Sequence, residues 1–227
     1  MEGGYIDFEE GNKTEASIAE INLINTIDEM LKQLMEENRL IYVNAPKLVN
    51  MTPEDVDSVV KEVRNVKESI EDLKDRAMEY LARLPSELIM KDIFGPIILR
   101  LNNVNQLMEG SFYRFALLNK KRKASNSLVV NTRELVGLVL DQLSVFSKAL
   151  KIMNDYPKEA LKELRKIDEL EDKIDTQYRS NLYEVLEESK DCPCAILTWE
   201  ILGNIEDASD EIKEAAENFK YYLLHKV

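Results

Sequence analysis

Glycine and proline are scarce in this chain of 227 residues, 7 and 6 respectively, which is few for a sheet protein with many tight turns. The sequence holds one histidine, His225, near its C-terminal end. That scarcity removes the paired Glu-x-x-His motifs of ferritin-like di-iron bundles. It also argues against His-dependent general-base and triad chemistry. Two cysteines, Cys192 and Cys194, flank Pro193. They lack the further ligands of a zinc site and the spacing of a C-x-x-C redox pair, so a turn holding two reduced thiols is expected. The longest apolar runs, Leu135 to Leu140 and Phe94 to Leu99, fall far short of the roughly 20 residues of a membrane span. Met1 to Glu20 is polar and acidic with no apolar signal segment, so a cytoplasmic protein is expected. Nor does the phosphate-cradling G-x-x-x-x-G-K-[ST] occur.

Acid is what the chain has in excess. Forty-three Asp and Glu stand against 30 Lys and Arg, for a net charge of -13. Broad binding to nucleic-acid phosphates needs the opposite balance and is excluded as an expectation. A strongly acidic surface suits cations or a basic patch on a partner. One basic cluster breaks the trend, Lys120, Lys121, Arg122 and Lys123. Cations at that position favour the C-terminal pole of a helix, and the cluster is the candidate contact for an acidic partner or anionic headgroups.

Apolar residues recur at helical spacing through almost the whole chain. The first helix is expected over about 16–43, and the second from Thr52-Pro53-Glu54-Asp55, a capping residue followed by proline and first-turn acids. Gly95-Pro96 is expected to open the third, after a turn at 86–92. Residues 120–131 form the most polar connection and are expected to link two halves. The fourth helix is expected over about 132–154. The fifth starts at Asp155-Tyr156-Pro157 and runs to about 190, and the sixth covers about 195–225. Long helices with short joints pack antiparallel in an all-α bundle. The expected organisation is an N-terminal tail at 1–14, a three-helix bundle at 15–122 and a second at 123–227.

Glu171 and Asp175 carry the chemistry. At about 100° per residue they share a helix face with Leu164, Ile167, Ile174, Tyr178, Leu182 and Val185. A carboxylate on such a face needs a basic partner, water or a metal ion. Lys173, Arg165 and Arg179 are the nearby cations. The same Glu-x-x-x-Asp spacing recurs at Glu71/Asp75, 100 positions earlier, and at Glu206/Asp210. Glu68/Asp72 and Glu187/Asp191 share the spacing and are read as accidents of an acidic composition. Ile70 to Asp75 and Leu170 to Asp175 correspond loosely, as in a tandem duplication. Residues i and i+4 lie on one helix face, so two such helices side by side could present four carboxylates to a hard cation such as Mg, Ca, Mn or ferrous iron. Trp199 is expected as a core anchor. A helical scaffold of the spectrin type, without metal, is the competing architecture-level reading, and a carboxylate-only metallohydrolase is a third.

Ile167-Asp-Glu-Leu-Glu-Asp-Lys-Ile-Asp175 and Ile205-Glu-Asp-Ala-Ser-Asp210 resemble the signatures of PhoU and its relatives, the Pit accessory proteins. The resemblance implies two tandem three-helix bundles, a non-enzymatic role in regulating inorganic phosphate transport, and divalent or iron ions held by carboxylates. It implies metal ligands at Glu171, Asp175, Glu206 and Asp210, and at Glu71 and Asp75. In the first half the last helix departs from the signature, since only Glu109 stands where a Glu-x-x-x-Asp pair should be. The implied partners are a phosphate transporter or its signalling proteins, with membrane contact only at the inner face through the transporter, and a homo-oligomer is compatible with the class.

Overall fold

The computed structural model describes residues 17–85 and 90–225. The expected tail at 1–14 and the start of the expected turn at 86–92 lie outside them. Among the described residues the chain is all-α: α1 (Ile18–Asn44), α2 (Pro53–Arg83), α3 (Met90–Lys120), α4 (Asn126–Ile152), α5 (Pro157–Glu187) and α6 (Cys192–Leu224), with one 3-10 turn at Leu48–Asn50.

Local chemistry sets the helix starts. Ser17 and Glu20 form a capping box on α1, satisfying two backbone donors reciprocally. Thr52 caps α2, with Pro53 in the first turn. Pro157 opens α5 in the same way. Three boundaries differ from the sequence expectation. The serines at 125 and 127 look like linker, yet Ser125 accepts the Leu128 amide at 3.2 Å and starts α4 at Asn126. The link between halves is therefore 121–125, not 120–131. Cys192-Pro193-Cys194 is not a turn between helices but the first turn of α6, capped by Asp191 through the Cys194 amide at 2.9 Å. Gly95-Pro96 lies inside α3 rather than at its start. Ile93 and Phe94, buried upstream, keep that turn helical through the missing proline N–H.

Helices α1, α3, α4 and α6 form the inner layer, with α2 flanking α1 and α3, and α5 flanking α4 and α6. The broadest helix interface joins α3 to α6, so the core runs without a break across both three-helix bundles. Phe94, Phe146, Phe219 and Tyr222 meet near one end of the core, by the start of α3 and the end of α6, with neighbouring ring centroids 5.0 to 5.7 Å apart. The outer helices bury only narrow stripes, such as Val56, Val63, Ile70 and Leu81 on α2 and Ala160, Ile167, Ile174 and Val185 on α5.

Those two stripes superpose with Pro53 on Pro157, a shift of 104 positions. The same shift carries Ile97, Leu101, Met108 and Phe115 of α3 onto Ile201, Ile205, Ile212 and Phe219 of α6, all buried. On α1 and α4 the buried positions match one residue further on, Leu23 with Leu128 and Ile41 with Phe146. The expected shift of 100 is thus short by four residues. Four residues are close to one turn of 3.6, so a slip of that size keeps the apolar stripe nearly in phase.

Candidate metal centre

The acid cluster lies on the seam between α5 and α6. On α5, Ile167 and Ile174 are buried, and the helix rotation that buries them carries Glu171 inward to 8% exposure. Asp175 follows one turn later on the same side. The facing helix α6 supplies Glu206, Asp210 and Lys213. One oxygen from each of Glu171, Asp175 and Asp210 lies within 4.8 Å of the others. Glu206 stands beside the group, near enough to Asp175 for the two carboxyls to share a proton.

Crowding shows in the proton affinities. Burial, then the hydrogen bond with Asp175 and the charges of Asp210, Asp175 and Asp207, push the Glu206 carboxyl up to about 7. Burial, then the charge of Glu171 and a hydrogen bond with it, push Asp210 up to about 6. Like charges held this close favour the protonated form. Two side-chain cations balance part of the load. Lys213 donates to Glu171 at 2.9 Å, and Arg179 pairs with Asp175. Of the cations expected from sequence, Arg179 is the one that meets this group. Lys213 escapes a search along α5 because it belongs to the next helix.

The donor set fits a hard divalent cation. It consists of carboxylate oxygens alone, with neither imidazole nor thiolate, and such ligands suit Mg, Ca or Mn. Two oxygens bound to one ion at about 2.0–2.6 Å stand at most roughly 4–5 Å apart, and the Glu171, Asp175 and Asp210 oxygens lie within that limit of one another.

The first half places its expected pair differently. Glu71 accepts from Lys67 at 2.7 Å and from Gln106 of α3. Burial raises its carboxyl, but the hydrogen bonds from Lys67 and Gln106 outweigh that and hold it below the ordinary value. Asp75 is exposed and pairs with Lys74, so Glu71 and Asp75 do not converge on one point. With the shift of 104, Glu71 corresponds to Asp175, Lys67 to Glu171, Asn102 to Glu206 and Gln106 to Asp210. Glu109, expected to stand in for the motif glutamate, corresponds to Lys213.

Sequence reasoning missed one acidic group altogether. Glu37 of α1 is 0% exposed, and both its oxygens lack a hydrogen-bond partner among the described residues. Burial, then the charge of Glu109, raise its carboxyl well above the ordinary range, opposed by Lys67. The signal was its place on the stripe, three residues after Leu34 and four before Ile41, both buried. Gln142 is its buried counterpart on α4.

Trp199 is not a core anchor: it is 57% exposed, and its indole N–H donates to the Tyr178 hydroxyl at 3.1 Å on the α5–α6 seam. Asp191 is the helix cap described above, and hydrogen bonds to Cys194 and Lys123 hold its carboxyl well below the usual range. In the basic cluster, Lys120 pairs with Asp57 at 2.7 Å and Lys123 with Asp191 at 2.5 Å, while Lys121 and Arg122 are exposed. Arg122 has φ 52°. Its amide bonds to Asn119 O and the Lys123 amide to Leu118 O, at 2.8 and 2.9 Å, closing α3 by a Schellman motif with arginine where glycine is usual.

Comparison with known proteins places the fold. No protein-family model matches the chain, and no curated protein matches it. Solved structures do. A PhoU-like protein from Shewanella oneidensis MR-1 superposes with a TM-score of 0.74 at 11% identity, over 89% of this chain and 99% of that one. A second protein of that organism, described as a PhoU-like phosphate regulatory protein, gives 0.72 at 11% over 90% and 100%. PhoU from Pseudomonas aeruginosa gives 0.63 at 15% over 89% and 99%. The chain has the PhoU-like fold, two tandem three-helix bundles. Among the described residues no helix is long and apolar enough to cross a membrane.

Proposed function

We propose that this chain is a non-enzymatic regulator of inorganic phosphate transport that binds a divalent cation or ferrous iron on the α5–α6 seam. In this reading it works in the cytoplasm and docks on a phosphate transporter or its signalling proteins. Three observations support it. The chain shares its fold with PhoU of P. aeruginosa and with a PhoU-like phosphate regulatory protein. The observation that carries the metal half is the convergence of Glu171, Asp175 and Asp210 within 4.8 Å, with Glu206 beside Asp175. Burial and the neighbouring carboxylates raise the proton affinity of Glu206 and Asp210, and a cation would offset that crowding of negative charge. The non-enzymatic reading is supported by the position of His225, which ends α6 and bonds the Tyr221 carbonyl, roughly 22 Å along the helix from Asp210 at 1.5 Å per residue.

Lys121 and Arg122 are the proposed partner contact within the basic cluster, since Lys120 and Lys123 hold Asp57 and Asp191. Any membrane contact would come through the transporter. Elemental analysis of protein purified with manganese or iron, against Glu171→Gln and Asp210→Asn, tests the metal half. Bound metal in the wild type that is lost in both variants is expected, and its absence from the wild type overturns that half. Phosphate uptake by cells lacking the chain tests the other half: altered uptake restored by the wild type is expected, and unaltered uptake contradicts the role.

A further inference from the structure

The two halves repeat the same helix seam with the charges exchanged. In the second half, the seam carries Glu171 and Asp175 on α5, with Glu206, Asp210 and Lys213 on α6. At the corresponding places the first half carries Lys67 and Glu71 on α2, with Asn102, Gln106 and Glu109 on α3. Where the second half has an acid bonded to lysine, Glu171 with Lys213 at 2.9 Å, the first half has a lysine in the acid's own position. Lys67 turns inward as Glu171 does: its side chain is only 18% exposed and bonds Glu71 at 2.7 Å. Gln106, replacing Asp210, donates to the same carboxylate. Asn102 and Gln106 take two charges away from the acid set. Asn105 fixes the α2 backbone beside Lys67 by donating to the Lys67 carbonyl at 3.1 Å.

We propose that Lys67 is a built-in cation plugging the first half's copy of the metal site, so that each chain offers one open cation site, on the α5–α6 seam. This rests on the reading of that seam given above as a cation site. An ammonium satisfies carboxylates as a point charge with three donors, and a tethered one cannot be washed out by a chelator. The buried Glu37 fits the same picture. It lies where Gln142 sits in the second half, within the electrostatic reach of Lys67 and Glu109, so the first seam holds acidic groups around a resident positive charge. The first half would thus be fixed in a cation-filled form, while the second responds to cation supply.

Manganese binding counted by calorimetry on the full chain tests the assignment. Two reciprocal variants are used, each checked for a cooperative melt. Lys67→Glu/Asn102→Glu/Gln106→Asp gives the first seam the acids of the second, and one ion more per chain than in the wild type is expected. Glu171→Lys/Lys213→Glu brings the first seam's lysine and its Glu109 counterpart to the second, and loss of the wild-type ion is expected, with at least a hundredfold weaker binding. If the triple variant does not fold, the double variant decides. Two ions on the wild type, or one that survives the double variant and disappears with Glu71→Gln, overturns the proposal. A wild type that binds none sinks the metal reading of the α5–α6 seam. The plug still stands in that case if the triple variant gains an ion, and falls if it does not.

Discussion

The two halves of this molecule share a backbone and differ in who carries the positive charge. On the α2–α3 seam Lys67 reaches Glu71 at 2.7 Å, and the Glu71 carboxyl is held below its ordinary value. On the α5–α6 seam the corresponding carboxylates crowd together, and Glu206 and Asp210 are pushed up to about 7 and about 6. One seam is electrostatically complete and the other is short of positive charge. In the proposed reading, a duplicated fold keeps its packing while one copy loses the need for an outside ion. Burial patterns change slowly because a core tolerates apolar exchange. Exchange of the charged side chains along the seam, Lys67 for Glu171 with Asn102 and Gln106 for Glu206 and Asp210, changes the local electrostatics while the buried stripes stay matched.

That contrast is most strongly probed by removing each lysine in turn. Lys67→Ala is expected to destabilise by about 1–2 kcal/mol, a partly buried pair lying between exposed and buried costs. Manganese should not restore the loss. Lys213→Ala should cost a similar amount, about 1–2 kcal/mol, in metal-free protein, and saturating manganese should recover most of it. Denaturant unfolding with and without the ion separates the two, and equal behaviour of both variants would erase the difference between the seams.

Acidity distinguishes the halves next. Glu206 and Asp210 bind protons more tightly folded than unfolded, with folded values about 7 and about 6. The stability they add is fully present below their unfolded values, roughly 4, and is lost as pH rises through the folded ones. Metal-free protein should weaken between pH 4 and 8, and Glu206→Gln/Asp210→Asn should flatten that part of the profile. Glu37 acts in the same sense at the first seam, its carboxyl being raised by burial, so some decline will persist in the double variant and should be removed by adding Glu37→Gln. A steep remaining slope in the triple variant would place the titrating groups elsewhere.

The smallest effect is at the joint between halves. Arg122 adopts φ 52°, which costs a residue with a Cβ about 1 kcal/mol relative to glycine. Arg122→Gly should raise the midpoint of thermal unfolding modestly, and an unchanged or lowered midpoint would show that the arginine side chain offsets its backbone strain.

Much of this was legible in the residues, and the failures have physical causes. The starts of α2 and α5 stand out because Thr52-Pro53 and Tyr156-Pro157 mark first turns in sequence as in space. Ser125 was obscured because serine serves linkers and helix caps alike. Gly95-Pro96 misled because tertiary packing overrides local punctuation. Glu171 announced itself as a carboxylate on an apolar stripe, whereas Lys213 lies 42 positions away in the chain and only folding brings it near. Lys67 was hidden by the four-residue slip, which matched Glu71 to Glu171 when the fold matches it to Asp175.

Trp199, the single tryptophan of the chain, makes the central claim directly measurable. Its indole is bonded to Tyr178 on the same seam, and it precedes Glu206 by about 10 Å along α6 at 1.5 Å per residue. Terbium, a hard oxygen-seeking ion, bound among Glu171, Asp175, Glu206 and Asp210 should emit when Trp199 is excited. Saturable emission that manganese displaces and Asp175→Asn/Asp210→Asn abolishes is the result expected. Emission that never rises above that of the double variant would contradict a cation site on this seam.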